Sequence, residues 1–463
     1  MNFASAEYAV TGILVLEEIL VDKFFKLSEH KTTIKTEIIG GLTTFFAMAY
    51  IIFVNPGILC ADLGGGFYPA MPGELLTSVM VATCMSAAIG CLLTALLANV
   101  PFAQAPGMGL NAFFTYTVCL GMGYTWQQGL AIVLLSGILF LIVAVSPLRS
   151  KIISSIPASL KSAISAGIGL FIALIGLLNV SLISFDAGVP ALNFVGNKAG
   201  LVALIGLAIT AILMAFKVKG AIIIGIIATT IVGIPFGVTQ FPESLTLSGI
   251  TLAPVFFKFD FHGLFSHGVL PLITAVLSFA LVDCFDTIGT LIGTAGNAGM
   301  LDKDGNLPKG DKALIADAVA TCAGAALGTS TVTTFVESST GISEGARTGL
   351  SSVVTGVLFL IAIILAPIAG IIPSAATAPA LLIVGVLMLR GVKQIEWDNI
   401  EIAIPAFLTI AMMPFAYSVS DGIGFGFISY VIIKLARGKT KEIPVLMYPI
   451  SIIFILKYIL SVL

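Results

Sequence analysis

Charge is what this chain has least of. Of its 463 residues only 10% are Asp, Glu, Lys or Arg, against about 25% in soluble domains, which excludes a water-soluble globular fold. The net charge is −2, so no basic surface is available for nucleic acid, and none is expected as a partner. Histidine is scarce too: the three stand at 30, 262 and 267, outside every apolar run. An intramembrane enzyme would need a nucleophile with its base, or a metal cluster, and these histidines supply neither. The six cysteines (60, 84, 91, 119, 284, 322) occur singly, without C-x-x-C or zinc spacing, and read as buried structural thiols. A cleavable signal pattern is also missing, because residues 8–20 run into the charged stretch 22–37. No cofactor is expected.

Hydrophobicity fills the space. Apolar residues make up 58% of the chain, with 48 glycines and a mean hydropathy of +1.10. This is the composition of an all-α polytopic membrane protein, whose glycines let helices pack closely or break within lipid. Residues 1–36 carry Glu17, Glu18, Lys23, Lys26, Lys31 and Lys35, as a cytoplasmic interfacial helix would. Apolar runs follow at 37–58, 76–99, 107–122, 128–147, 161–180, 200–216 and 219–236. Seven more lie at 270–293, 312–328, 335–346, 348–370, 378–391, 402–418 and 421–437. A crossing needs about 20 residues, and the pattern predicts fourteen transmembrane segments. A last apolar run, 444–462, is left unplaced. With the N-terminus in the cytoplasm, all but Lys198, Lys258 and Lys457 of the 22 basic residues fall on the cytoplasmic side, as the positive-inside rule requires.

Two spans are too broken to be ordinary helices. Before the third, Val100-Pro-Phe-Ala-Gln-Ala-Pro106 has prolines near both ends, which favour extended backbone. Before the tenth, Thr329-Ser-Thr-Val-Thr-Thr-Phe-Val336 is β-branched and strand-like, and a half-helix of about ten residues should follow from Glu337 to Arg347. Such backbone survives at membrane depth only inside protein or along a cavity. The broken spans are seven apart, as are the Ile-Pro starts of the fifth and twelfth (Ile156-Pro157, Ile372-Pro373). An odd interval inverts the second copy, and inverted repeats with discontinuous helices mark secondary transporters.

Four polar residues stand in the acidic and broken spans: Asn111, Asp283, Asp286 and Glu337. Charges at such depth are costly and point to function. Asp283 and Asp286 are three apart and share a helix face, where a buried acid beside another can take up and release a proton. Glu337 at a helix start can accept two N–H groups from one planar ring edge. Asn111 offers a donor and an acceptor. Asn111 also reads as a helix-packing amide and Glu337 as a plain helix-start acid. Asp317 is expected to matter less, and Glu344 to pair with Arg347 at the surface. His262 and His267 read as interfacial loop residues, Asp302-Lys-Asp-Gly-Asn306 as a turn, and Gly422-Ile-Gly-Phe-Gly426 as a chance cluster.

At four stretches the chain resembles the AzgA-type purine permeases, a branch related to the nucleobase–ascorbate and uracil transporters. These are Gly41-Leu-Thr-Thr-Phe-Phe-Ala-Met-Ala-Tyr-Ile-Ile-Phe-Val-Asn-Pro56, Ala105-Pro-Gly-Met-Gly-Leu-Asn-Ala-Phe-Phe114, Phe285-Asp-Thr-Ile-Gly-Thr-Leu291 and Thr334-Phe-Val-Glu-Ser-Ser-Thr-Gly-Ile342. The resemblance implies two inverted seven-span repeats, with short antiparallel strands in spans three and ten. It implies a core domain from 37–147 (spans 1–4) and 260–371 (spans 8–11), and a gate domain from 148–240 (spans 5–7) and 372–440 (spans 12–14). Residues 441–463 form a C-terminal apolar segment that it does not place. It further implies import of adenine, guanine and hypoxanthine by proton symport, through an elevator-type motion in the plasma membrane. Asn111, Asp286 and Glu337 become substrate-binding residues, and Asp286 with Asp283 the proton-coupling acids. Phe335 or Phe114 would stack on the base, with Phe45, Phe46 and Phe113 as further candidates. The partners are then a purine nucleobase and the lipid bilayer, and a homodimer is compatible with the sequence. Sodium coupling remains an alternative, as does an anion exchanger on the same architecture, although the latter would want a positive site instead of acids.

Overall fold

In lipid a helix satisfies each backbone group within its own segment, and the apolar runs fold accordingly. The computed structural model describes residues 21–60, 70–146, 157–184, 190–240, 250–297, 299–302 and 307–462. The first run gives α1 (Ile34–Met48), capped by Thr33, and α2 (Ile51–Cys60). Then come α3 (Leu76–Leu93) with a π-helical extension Thr94–Ala98, β1 (Gln104–Pro106), and α4 (Met108–Ala112), which runs on as π-helix Phe113–Gly121. A capping box of Thr125 and Gln128 starts α5 (Trp126–Val145). After it follow α6 (Ala158–Asn179), a hairpin of β2 (Ile183–Ser184) and β3 (Ala191–Leu192), α7 (Lys198–Ala215) and α8 (Ala221–Gly233). The chain continues through α9 (Val269–Asn297), α10 (Gly310–Leu327), β4 (Val332–Thr334), α11 (Ser338–Ser343) and α12 (Gly349–Ala362). It ends with α13 (Ser374–Met388), α14 (Ile400–Phe415), α15 (Val419–Ala436) and α16 (Met447–Val462).

This is a helical polytopic membrane fold. Among the described residues nine helices are long and apolar enough to cross a membrane, and α8, α14 and part of α16 are shorter apolar helices. The other expected spans fall short for visible reasons. Strands interrupt the spans of α4 and α11, and α10 is alanine-rich with Asp311, Lys312 and Asp317 along it. The half-helix expected from Glu337 to Arg347 is shorter than predicted: α11 has six residues, because Gly345 turns into the left-handed region at φ +104° and stops it. Residues 1–20 of the expected interfacial helix, Arg149, Lys151, and residues 303–306 of the Asp302 turn lie outside the described residues.

The run 444–462 is mostly helix and packs against α15. There Gly424 leaves room for Phe454 and Tyr458, and Gly422 for Met413, so the glycines of 422–426 are a helix-packing surface and not a chance cluster. Lys457 also reaches Asp421 at 2.5 Å. All six cysteines are free, five of them buried. In the loop before α9, Asp260 is held below the usual carboxylate range by the Gly263 N–H, with Gln128 donating as well.

One buried acid has a purely structural role. Glu37 of α1 is fully buried and accepts the N–H groups of Arg347 (2.7 Å), Thr348 (3.2 Å) and Ser351 (3.3 Å). It thereby closes the open N-terminus of α12. Glu37→Ala is expected to cost about 1–3 kcal/mol by leaving these donors unpaired. Lys26→Ala, which breaks only the exposed pair with Glu29, should cost close to nothing. Melting of both variants in detergent checks the contrast.

Candidate functional site

The site is built on backbone that is not helical. β1 and β4 pair antiparallel, with Gln104 opposite Thr334, Ala105 opposite Thr333 and Pro106 opposite Val332. The ladder continues past both ends: the Gly107 N–H donates to Thr331 O at 2.9 Å and the Phe335 N–H to Ala103 O at 3.0 Å. Pro101 and Pro106 deny β1 a helix, and Val332, Thr333 and Thr334 favour extended backbone. Both strands are buried throughout, where each unpaired amide would cost a few kcal/mol. Helix α4 starts at one end of this ribbon and α11 at the other. Two helices remote in sequence thus leave a single scaffold about 10 Å long.

Asn111 is fully buried in α4. Its Oδ1 accepts from Ser330 Oγ, while its Nδ2 has no hydrogen-bond partner. Glu337 occupies the N-cap position of α11, half-buried, and its Oε1 accepts from Tyr50 Oη at 2.7 Å. Asp286 of α9 is also half-buried and lies within electrostatic reach of Glu337. Further along the same face stand Gly289 and Gly293, where an added Cβ would meet no atom within 4 Å. That face of α9 therefore looks onto open space. Thr287 fastens α9 to the ribbon, 2.9 Å from Thr333 Oγ1 and accepting the Thr334 N–H at 3.4 Å.

Asp283 belongs to a separate cluster. It is turned into the protein, 1% exposed, and Thr321 Oγ1 of α10 donates to its Oδ2 at 2.9 Å. Beside it is Asp317, fully buried, whose Oδ1 accepts from Gln104 Nε2 and Thr334 Oγ1, both at 3.0 Å. The two carboxyl groups adjoin each other, close enough to interact electrostatically. Asp317, expected to matter less, is thus tied directly to the ribbon. Glu344 pairs with Lys219 at 2.6 Å and not with Arg347, whose guanidinium donates to the carbonyls of Ile342 and Ala346.

The aromatic candidates separate by position. Phe114 has no exposed surface and lies against Gly129 of α5. Phe113 packs on Phe279 with ring centres 4.5 Å apart, and Phe45 meets Phe359 edge-on at 5.1 Å. Phe335 is buried just after β4, whereas Phe46 is exposed. Tyr50, Gln104 and Thr321 were not singled out by sequence reasoning. A signal existed for two of them: Tyr50 is the polar tip at the break between α1 and α2, and Gln104 the one amide between two prolines.

A family model described as Permease family matches residues 35–425. The guanine/hypoxanthine permease PbuG of Bacillus subtilis is 43% identical over 441 residues, covering 94% of this chain and 99% of that one. The adenine permease AdeP of Escherichia coli is 39% identical over 448 residues, covering 95% and 96%. In fold the chain is similar to the transmembrane domain of a cyanobacterial bicarbonate transporter, BicA, with a TM-score of 0.56 at 14% identity, covering 87% of this chain and 97% of that one. It is also similar to the murine Solute Carrier 26 family member A9 anion transporter, with a TM-score of 0.63 at 10% identity, covering 87% and 68%. At these identities the two structures speak to fold alone.

Among the described residues, Tyr50 is the one side chain hydrogen-bonded to the Glu337 carboxylate. Tyr50→Phe strips Oε1 of its donor and should lower stability by about 1–3 kcal/mol, read as a lower melting temperature in detergent. An unchanged melting temperature would mean that this bond does not fix the carboxylate.

Proposed function

The chain belongs to the permease family, a family of transporters and not of enzymes, and we propose that it imports the purine nucleobases adenine, guanine and hypoxanthine by proton symport. The observation that carries this reading is the β1–β4 ribbon, which holds Asn111 and Glu337 on two interrupted helices next to the open, acid-bearing face of α9. The relatives at 43% and 39% identity, a guanine/hypoxanthine permease and an adenine permease, support the purine assignment.

Each residue then has a chemical task. Tyr50 occupies Glu337 Oε1 and leaves Oε2 to accept from the ring edge of a neutral purine. The unpartnered Nδ2 of Asn111 supplies a donor for a purine nitrogen or oxygen. Asp286 takes a proton from outside, with Asp283 as the second coupling acid, and releases it inside. Phe335 stays a candidate to stack on the base; Phe114 would have to leave its contact with Gly129 to do so. In the proposed membrane arrangement the N-terminus is cytoplasmic and fourteen segments form two inverted seven-span repeats in the plasma membrane. The core (37–147 and 260–371) slides against the gate (148–240 and 372–440) to carry the site across. An anion exchanger fits less well, since the residues gathered here are acids and neutral amides with no Lys or Arg among them.

Uptake of labelled bases by cells lacking their own permeases, with proton and sodium gradients varied separately, tests this. Accumulation should rise as the outside is made more acidic and ignore sodium; the reverse would assign the coupling to sodium. Glu337→Ala should raise KM for hypoxanthine and adenine at least tenfold. A hydrogen bond to a charged group contributes about 1.5–3 kcal/mol, and about 1.4 kcal/mol is tenfold. Asp286→Asn should abolish accumulation against a gradient while downhill exchange continues. Proton-driven accumulation by that variant would take the coupling role away from Asp286.

A further inference from the structure

The cluster around Asp317 is an assembly of acceptors with too few donors. Asp283 and Asp317 adjoin each other, and as two carboxylates they would bring no hydrogen between them. In that form Asp283 Oδ1, Asp317 Oδ2 and the adjoining Gln104 Oε1 are all buried without a partner. The three residues are between 0% and 1% exposed, so water does not supply what is missing, and such orphaned oxygens are costly. A proton placed between the acids gives both a partner at once. No group of three His, Cys, Asp or Glu side chains that could hold a metal ion occurs among the described residues.

We propose that Asp283 and Asp317 share one proton, and that Asp317 is the positioning residue through which this acid pair sets the β1–β4 ribbon. The connection is direct. Asp317 Oδ1 grips Gln104 and Thr334, which face each other across the strand register. Thr321 donates one hydrogen, so its short contacts to Asp283 Oδ2 (2.9 Å) and Val332 O (2.8 Å) tie acid and strand to a single hydroxyl. Loss of the proton would leave two like charges in contact beneath the ribbon from which α4 and α11 start. The other titratable groups facing the pair are Asp286 and Cys284 on α9 and Cys322 on α10, with Lys161 of α6 reaching Cys284 and Cys91 of α3 lying against the backbone of Gln104. As a coupling device the pair rests on the proton-symport reading above, but its shared proton can be observed without transport.

The test is infrared spectroscopy of the full-length protein in detergent near neutral pH, with Asp286→Asn as background so that Asp286 cannot contribute. A protonated-carboxyl signal is expected in this background. It should be lost in Asp283→Asn and in Asp317→Asn, and restored in part by Asp317→Glu. Absence of the signal before any further substitution overturns the shared proton, even if the later variants fail to fold. Its persistence in both single variants overturns it too. Loss on adding sodium would assign the pair to a cation and overturn it as well. For the ribbon role, Asp317→Asn in otherwise unaltered protein should shift the pH profile of purine uptake by a unit or more. An unshifted profile overturns the positioning role. Sodium-driven uptake with the carboxyl signal intact would fail the symport reading and leave the shared proton standing.

Discussion

A polypeptide inside a membrane cannot leave backbone amides unpaired, and this chain places two non-helical stretches where pairing is most needed. The antiparallel ribbon of β1 and β4 is the solution. Much around it completes its bonding or blocks water from it. Ser338 Oγ takes the Ala103 N–H, Thr287 takes the Thr334 N–H, and Asn55 braces Thr83 and Thr329 just before β4. Because two interrupted helices share this ribbon, the side chains at their starts are fixed relative to each other by hydrogen bonds and not by loop conformation. That fixity is what a binding site needs.

The buried acids show how one residue type takes different tasks from its partners. Glu37 meets three backbone N–H groups and is saturated as a helix cap. Asp283 and Asp317 meet each other and a ring of hydroxyl and amide groups. Asp286 and Glu337 keep part of their surface on an open face. Only the last two are placed to meet a ligand directly, which is why the proposed purine and proton chemistry centres on them. Asp283 stands one turn from Asp286 but is fully buried against Thr321 of α10, whereas Asp286 is half-buried, so sequence spacing alone makes them appear more alike than they are.

Much of the fold was legible in the sequence, because the signals were local. Prolines at 101 and 106 and the β-branched run 331–334 marked both strands, and the apolar runs marked the helices. The length of α11 was not legible, since it depends on Gly345 turning left-handed. Nor was the packing of α16, which relies on Gly424 meeting Phe454. At the site, Asn111, Asp286 and Glu337 stood out as polar residues in apolar or broken segments. Asp317 was passed over because α10 is less apolar, so an acid there looks cheaper than it is. Tyr50 was missed because a tyrosine in an apolar run reads as packing until its hydroxyl is seen to find Glu337 at 2.7 Å.

The central claim is that a site built from both interrupted helices holds the purine. A structure determined with hypoxanthine bound tests it most directly. The base should lie beside the ribbon, its ring-edge N–H groups on Glu337 and a ring heteroatom or carbonyl within hydrogen-bond distance of Asn111. A base held elsewhere, or held without touching Glu337, would contradict it.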